Sequence, residues 1–451
     1  MTVPTLVFLH ALGASAGEWA YVTERLPEHD CIALDLPGFG DAAAAGHADV
    51  AAMADWLADE IRARALTACV LVGHSMGGKI VTLVAARAGA GEVGLSGVLG
   101  VVLVTASPPA PEPMDEDRRA EMIAWFADDA PTRDAAATFV DANTAAPLPD
   151  ALRERAIRDV LRSSGEAWRG WLERGSREDW SADAGRIPIP ALIVAGAEDG
   201  DLNEDAQRRL NLPHYTSAEV RVVAAAAHLI PYEQPAALAS LIAGHAAAVA
   251  GAMLPEAFAR ILASERVSTQ TRAAMLGRLR PPRDSADAWT SDQHAGVAAL
   301  IAQVLPDCGA DPDLAHRVLG GVAHGAGDGW RFAALPCDIE AWRLGLATLD
   351  ALSGGFSALD DRAQGDWLDR IANGHAGIAE DPAYLSPDQM ALWFEDVRAE
   401  IVRTWMALPT TMARIGYDGF AIGGDGRRKQ GYTLTRAGDA EAWQDRPGDR
   451  A

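Results

Sequence analysis

The chain has 451 residues, of which 49% are hydrophobic and 23% are charged, and it carries a formal net charge of −24. This length predicts two or three domains, and the composition is typical of a globular protein. The strong negative charge argues against nucleic acid and anionic membranes as partners, because neither would be attracted electrostatically.

The N-terminal sequence and the spacing of the cysteines favour a reducing compartment. The N-terminus shows no basic and apolar leader, and no apolar run is long enough to predict a membrane helix. The four cysteines lie far apart without a C-x-x-C pair, which argues against a zinc site or a disulfide framework. We therefore expect a cytoplasmic protein.

Short apolar segments alternate with helical patterns through the first half of the chain. Six of these segments predict strands: 5–10, 30–36, 69–72, 100–105, 191–195 and 220–223. The helical patterns between them, such as 50–64 and 79–88, imply that the strands pair in parallel through crossovers. The sequence therefore predicts an α/β fold with a doubly wound, mostly parallel sheet.

The segment Gly73-His74-Ser75-Met76-Gly77 follows the third predicted strand and precedes a helix. A G-x-S-x-G sequence in that setting is typical of a nucleophile elbow, in which the serine occupies a sharp, strained turn. Glycines are needed beside it because larger side chains would clash with the neighbouring backbone. Ser75 is therefore the candidate nucleophile, and we interpret His74 as a packing residue.

A carboxylate and a histidine follow in the order that a serine hydrolase needs. Asp199 lies just beyond the fifth strand, and His228 follows the sixth. A serine hydroxyl becomes nucleophilic when an imidazole accepts its proton and a carboxylate orients that imidazole. We predict a triad of Ser75, Asp199 and His228, with Asp201 and Glu198 as alternative acids.

Five motifs stand in a fixed order along this half of the chain. They are His10–Gly13, Asp35–Gly40, Gly73–Gly78, Gly196–Asp199, and His228 with Glu233 and Pro235. This order resembles the α/β-hydrolase superfamily over about residues 1–248. The resemblance implies a helical cap over the serine at about 107–187, but it names no substrate.

The resemblance also places an oxyanion hole at the backbone N–H groups of Met76 and Leu12. The His-Gly pair that is usual in the family is here His10-Ala11, so a methyl group stands in the loop before Leu12. A negative φ at Ala11 would accommodate that methyl group. For the substrate pocket we expect three contacts: His10, Trp125 and Leu229.

Aromatic residues at helical spacing in the cap predict core packing, with some of them lining an apolar pocket. These residues are Trp125, Phe126, Phe139, Trp168, Trp171 and Trp180. Four cap arginines favour a solvated face, with an anion site for a carboxylate substrate as the alternative. They are Arg153, Arg155, Arg158 and Arg162.

From about residue 249 the strand patterns end, and we predict a mainly helical domain over 249–451. The predicted helices are 255–268, 292–305, 338–352, 360–371 and 387–405, and the last carries an apolar stripe. The predicted irregular segments are loops at 281–290 and 320–329 and a glycine-rich, basic arm at 416–438. No segment has the spacing of a nucleotide or metal site, so we predict no cofactor.

Residues 255–435 resemble the small subunit, subunit 3, of gluconate 2-dehydrogenase-type enzymes. The matching features are Val304-Leu305-Pro306, Gly354-Gly355-Phe356, Trp393-Phe394 and Ile415–Gly419. The resemblance implies a GMC-type flavoprotein dehydrogenase as a partner and no cofactor within the domain itself. The alternative is a helical domain that only packs on the hydrolase half.

These observations favour a serine hydrolase that acts on a carboxylic ester, thioester or lactone. Two other functions stay open. One is carbon–carbon cleavage or elimination with the same triad, because the short N-terminus resembles the menaquinone-pathway elimination enzyme of this superfamily. The other is an accessory subunit of a flavin dehydrogenase whose hydrolase domain processes the product.

Overall fold

A six-stranded parallel sheet forms the centre of the first half of the chain. The structure is a computed structural model and describes residues 3–45, 49–126, 130–280, 288–306, 313–327 and 329–420, with 425 and 436. The strands are β1 Thr5–Leu9, β2 Cys31–Leu34, β3 Cys69–His74, β4 Val98–Val104, β5 Ala191–Gly196 and β6 Ala218–Val223. They lie in the order β2-β1-β3-β4-β5-β6 and pair in parallel throughout.

Burial along the strands follows their place in the sheet. Every residue of β3, β4 and β5 is buried, whereas the edge strands β2 and β6 are mostly half-buried or exposed. Central strands of a parallel sheet are covered on both faces, which explains why their sequences are continuous apolar runs. The predicted α/β fold with a parallel sheet is confirmed.

The strand order reverses direction between β1 and β3, which are neighbours in the sheet. In open α/β sheets, ligands bind beyond the carboxyl ends of the strands at such a switch point. Ser75 follows β3 and His10 follows β1, so the sheet brings the predicted nucleophile and the predicted oxyanion loop to this point.

Helices flank the sheet and fill the connection between β4 and β5. In chain order they are α1 Ala20–Thr23, α2 Val50–Ala63, α3 Met76–Gly89, α4 Glu116–Ala124, α5 Arg133–Ala142, α6 Asp150–Leu161, α7 Gly165–Gly170, α8 Ser181–Ala184, α9 Glu204–Leu210, α10 Ile230–Glu233 and α11 Pro235–Val249. One π-helical turn, Trp171–Gly175, continues α7. Helices α4 to α8 form the cap segment that the sequence predicts.

The described residues form two units. The first comprises those within Met1–Gly277 and Asp418–Ala451, and the second comprises those within Arg278–Tyr417. Helix α12, Glu256–Ala263, and nearly all of α13, Thr269–Leu279, therefore belong to the first unit.

Arg272 gives a physical reason for that boundary. This side chain of α13 is fully buried, and its guanidinium donates to the carbonyl oxygens of Gly91, Leu262, Ser264 and Val267. Gly91 lies in the turn after α3, so the arginine binds α12 and α13 to the sheet unit.

The second unit has an apolar helical core. Its helices are α14 Ser291–Val304, α15 Leu314–Ala323, α16 Asp338–Ser353, α17 Asp361–Ala372, α18 Pro387–Met406 and α19 Pro409–Arg414. Trp342, Phe356 and Trp393 are buried at its centre. Gly345 gives Trp393 its space, because a Cβ at residue 345 would lie 2.2 Å from the indole.

Two helical segments differ from the sequence prediction. Helix α15 continues to Ala323, where the spacing predicts a loop from 320, and α13 lies where no separate helix is predicted. The loop at 281–290 and the arm at 416–438 lie largely outside the described residues. Within the described parts of the chain, no helix combines the length and the apolar character needed to span a bilayer.

Candidate active site

Ser75 occupies a strained turn between β3 and α3. Its φ of 49° and ψ of −116° lie in a region that side chains rarely adopt, and its N–H donates to the carbonyl of Val104 at 3.0 Å. A Cβ at residue 73 would lie 2.5 Å from the carbonyl oxygen of Gly77. Glycine at 73 therefore lets the backbone close into the elbow that the sequence predicts.

Asp199 and His228 meet beside this elbow. The Asp199 Oδ2 lies 2.8 Å from the His228 Nδ1, and Asp199 Oδ1 accepts the N–H groups of Asp201 and Leu202. The alternative acid Asp201 instead pairs with Arg118 at 3.0 Å. The geometry therefore places Asp199, among the three candidate acids, on the histidine.

The pair shifts the pKa of each partner toward the charged form. Burial alone would raise the pKa of Asp199, but the His228 ring and two backbone N–H donors outweigh burial, so this pKa is lowered. Burial likewise opposes the charged form of His228, and the carboxylate of Asp199 outweighs it, so the pKa of His228 lies above its usual 6.5. The imidazolium that forms during proton transfer is therefore stabilised.

Ser75 and His228 line one cavity, together with Leu12 of the predicted oxyanion loop. Met76 begins α3 directly after the serine, so its N–H is a free helix N-terminal donor. Within the described residues, no hydrogen bond joins the Ser75 hydroxyl to the His228 ring. Catalytic hydrogen bonds are often long or poorly aligned until the reacting complex forms, so the missing contact does not exclude His228 as the base.

The cavity holds about 250 Å³ and lies between the strand ends and the cap. The cap supplies Glu112, Met114, Arg118, Met122, Phe139, Ala142, Asn143, Thr144 and Trp171 to its lining. Two of the six cap aromatics, Phe139 and Trp171, therefore line it, and the four cap arginines named above are absent from this part of the lining. A cavity of this size accommodates a small organic molecule.

The three residues that we expect in the substrate pocket differ in whether they line the cavity. Leu229 lines the cavity. His10 does not belong to the pocket, because it is fully buried and both of its ring nitrogens are hydrogen-bonded to backbone groups of Ala11 and Leu36. Trp125 is also outside the described lining and packs edge-on against Phe139 at 6.4 Å between ring centres.

Two polar residues of the cap segment, which no sequence motif marks, lie beside the candidate catalytic residues. The carbonyl oxygen of Asn143 accepts the N–H groups of His228 and Leu229, both at 3.1 Å. Glu112 lines the cavity, accepts a hydrogen bond from Ser107 at 2.8 Å, and has a pKa raised by burial. No motif marks these residues, because their contacts depend on how the cap folds over the sheet.

In the described parts of the chain, no group of three or more His, Cys, Asp or Glu side chains is arranged to hold a metal ion.

The sequence profile of the alpha/beta hydrolase family matches residues 6–241. This match spans more than half of the chain and includes the elbow, the acid and the histidine. The chain belongs to the alpha/beta hydrolase family.

Several curated relatives of this chain share the same enzyme name. A 2-succinyl-6-hydroxy-2,4-cyclohexadiene-1-carboxylate synthase of Enterobacter sp. (strain 638) is 38% identical over 92 residues, which are 20% of this chain and 36% of the relative. The same enzyme of Citrobacter koseri is 28% identical over 205 residues, 44% of this chain and 78% of the relative. The chain thus spans about a third of the first relative and more than three quarters of the second.

A relative with a different activity has similar identity. A pimeloyl-(acyl-carrier protein) methyl ester esterase of Sodalis glossinidius is 36% identical over 104 residues, 23% of this chain and 37% of the relative. Among solved structures, an esterase from Exiguobacterium antarcticum is 20% identical with a TM-score of 0.49, and the match covers 54% of this chain and 92% of that chain. A structural likeness at this level carries no argument about substrate.

Proposed function

We propose that the chain is a serine hydrolase that cleaves a carboxylic ester, thioester or lactone through an acyl-enzyme on Ser75. The observation that carries the proposal is the 2.8 Å contact between His228 Nδ1 and Asp199 beside the strained serine. With Nδ1 bound to the carboxylate, Nε2 is the ring nitrogen available to take the serine proton.

Each atom then has a defined task. Ser75 Oγ attacks the carbonyl carbon while His228 Nε2 accepts the hydroxyl proton, and Asp199 stabilises the resulting imidazolium. The N–H groups of Met76 and Leu12 hold the negative oxygen of the tetrahedral intermediate. The imidazolium protonates the departing alkoxide or thiolate, and a water molecule activated by the same ring later releases the acid and restores Ser75.

A panel of p-nitrophenyl acetate, acyl thioesters and lactones tests this proposal. We expect the wild-type chain to hydrolyse at least one compound, and we expect Ser75→Ala to lose roughly 10⁴- to 10⁶-fold in kcat. Ser96→Ala, at a buried serine that does not line the cavity, is the matched control and keeps full activity. Substantial turnover by Ser75→Ala would contradict the proposal.

A second candidate function is elimination or carbon–carbon cleavage with His228 as the base. The similarity to the Citrobacter koseri synthase supports it, since that match extends over most of the relative. The two functions differ in one intermediate. Hydrolysis builds an acyl group on Ser75, whereas elimination leaves the serine unmodified, so the mass of the protein during turnover separates them.

The helical region carries a third proposal, which rests on the resemblance to a dehydrogenase small subunit. A GMC-type flavoprotein that oxidises a sugar to a lactone would supply a substrate that this triad can open, and the fusion would place both steps in one assembly. Affinity purification from the native host tests the partnership, and repeated failure to recover a flavoprotein would count against it. The cytoplasmic location stays a prediction.

A further inference from the structure

Glu18 is a fully buried carboxylate behind the catalytic loops. It lies in the 3₁₀ turn Ala16–Trp19 that follows β1. Its Oε1 accepts the N–H of Ala11 at 3.1 Å, and both carboxylate oxygens lie 3.2 Å from the Nδ1 of His74. A buried carboxylate is costly unless it is paired and hydrogen-bonded, so this side chain is held by two specific partners.

His74 extends these contacts to the catalytic histidine. Its Nε2 lies 2.8 Å from the carbonyl oxygen of His228, which also accepts the hydroxyl of Thr105 at 3.1 Å. A carbonyl oxygen only accepts, so His74 Nε2 carries a hydrogen. The contact between His74 Nδ1 and Glu18 then requires one further proton, held by either partner, and the buried pair has no net charge.

The other contact of Glu18 lies in the oxyanion loop. Its acceptor oxygen holds the N–H of Ala11, and the carbonyl of Ala11 accepts from His10 Nδ1 at 2.7 Å. His10 Nε2 accepts the N–H of Leu36, and burial lowers the pKa of His10, so the ring is neutral with its hydrogen on Nδ1. The Ala11 carbonyl shares a peptide plane with the N–H of Leu12, so fixing that plane fixes the direction of the oxyanion donor.

We propose that Glu18 is a positioning residue that joins the oxyanion loop to the loop of the catalytic histidine, through the Ala11 N–H and through His74. The proposal rests on the hydrolase function, because it concerns groups that act on the transition state. Leu12 N–H and His228 both meet charge that develops during the reaction. Loss of Glu18 therefore lowers kcat more than it raises KM.

Two substitutions separate this role from simple packing. Glu18→Gln keeps every hydrogen bond, since the amide oxygen accepts from Ala11 and the amide N–H₂ donates to a neutral His74 that still donates to His228. Glu18→Ala removes both contacts and leaves the Ala11 N–H and His74 without their partner. We expect Glu18→Gln to remain within about threefold of wild type and Glu18→Ala to lose about 10²-fold in kcat with little change in KM.

Two rates are measured: the rate at which a fluorophosphonate labels Ser75, and kcat for p-nitrophenyl butyrate. Both rates are divided by the concentration of active serine, which is determined by titration. Labelling needs the same oxyanion donors and histidine but no knowledge of the natural substrate. We expect both rates to fall together in Glu18→Ala. Inhibition by a trifluoromethyl ketone, which places an oxyanion in the hole, should weaken by a similar factor.

Arg272→Met is the control, because it removes another buried charge from the first unit at a side chain that does not line the described cavity. It should lower the melting temperature without changing either rate per titrated serine. Wild-type labelling rates in Glu18→Ala would overturn the proposal, and so would equal losses in Glu18→Gln and Glu18→Ala. A wild-type chain that is labelled but hydrolyses no ester would instead count against the proposed function and leave the labelling comparison to decide the role of Glu18.

Discussion

The two units differ in what they bury. Among the described residues, the first unit buries eight charged or histidine side chains: His10, Glu18, His74, Lys79, Arg119, Asp159, Asp199 and Arg272. In the described part of the second unit, the buried polar side chains are the uncharged Thr348, Gln364 and Thr411. Because burial of charge is costly unless each group is paired, these side chains need specific partners.

Most buried ionisable groups of the first unit hold segments around the elbow in place. Lys79, on α3, illustrates this, since its ammonium donates to the carbonyls of Gly175 and Glu178 at 3.0 and 2.9 Å and so binds the cap to the elbow helix. Burial lowers the pKa of Lys79 to about 8. In the described part of the second unit the buried polar side chains are uncharged, so a charged binding group there would have to lie nearer its surface.

The largest expected effect comes from the triad itself. His228→Ala removes the base and should lower kcat on p-nitrophenyl butyrate by roughly 10⁴- to 10⁶-fold. Its melting temperature should stay close to that of the wild type, because the side chain is partly exposed in the cavity. Steady-state kinetics and a thermal melt measure the two quantities, and a mild loss of kcat would show that another group accepts the serine proton.

Asp199→Asn should lower kcat by about 10⁴-fold, since the amide favours the wrong tautomer of the histidine. It should also change the pH dependence. His228 must be neutral to act as a base and Asp199 raises its pKa above 6.5, so wild-type kcat/KM falls as pH drops through that raised value. In Asp199→Asn the residual activity should persist to lower pH.

The alternative acid provides the control for that experiment. Asp201 lines the cavity but does not contact His228, and its pair with Arg118 is about one-third exposed. Asp201→Asn leaves the contact between Asp199 and His228 in place, so kcat and the acid limb should change little. An effect of Asp201→Asn as large as that of Asp199→Asn would reassign the acid.

A substitution in the core of the second unit tests whether that core contributes only to stability. Trp393→Ala removes a fully buried indole and should destabilise that unit by about 3–5 kcal/mol. Turnover per titrated Ser75 should not change if this core serves packing alone. Calorimetry and active-site titration measure the two outcomes, and a parallel loss of turnover would link this core to catalysis.

Substitution of a helix N-cap residue should have the smallest effect on stability. Each unit contains such a cap, so substitution by alanine can be compared in both. Asp49 caps α2 in the first unit, and Ser386 caps α18 in the second through a capping box with Gln389. Alanine at either cap should cost about 1 kcal/mol in the free energy of unfolding, measured by denaturant titration. A much larger loss at Asp49 would mean that the sheet unit tolerates local change less well.

The sequence was informative where function depends on residues close along the chain. The elbow, the acid loop and the histidine loop each follow a strand, and the parallel sheet brings strand ends together. Chain order was therefore enough to predict that Ser75, Asp199 and His228 lie around one cavity. The apolar stripe of α18 likewise follows from spacing alone, and its residues are buried except for the half-buried Trp405.

Contacts between segments that are distant along the chain could not be predicted from the sequence. His74 looked like a packing residue and His10 like a pocket residue, yet each uses both ring nitrogens in hydrogen bonds, and one partner of His74, Glu18, is 56 positions away along the chain. Such pairs depend on tertiary packing, which leaves no local pattern. The place of α13 has a similar cause, because its contact between Arg272 and Gly91 joins segments that no local pattern connects.

The most direct test of the central claim is the mass of the protein during turnover. Rapid-quench mass spectrometry with p-nitrophenyl butyrate should find a butyryl group on the peptide that contains Ser75, absent from Ser75→Ala and accumulating in Asp199→Asn if deacylation is slowed. An unmodified Ser75 peptide during rapid ester turnover, or undiminished turnover by Ser75→Ala, would contradict the account.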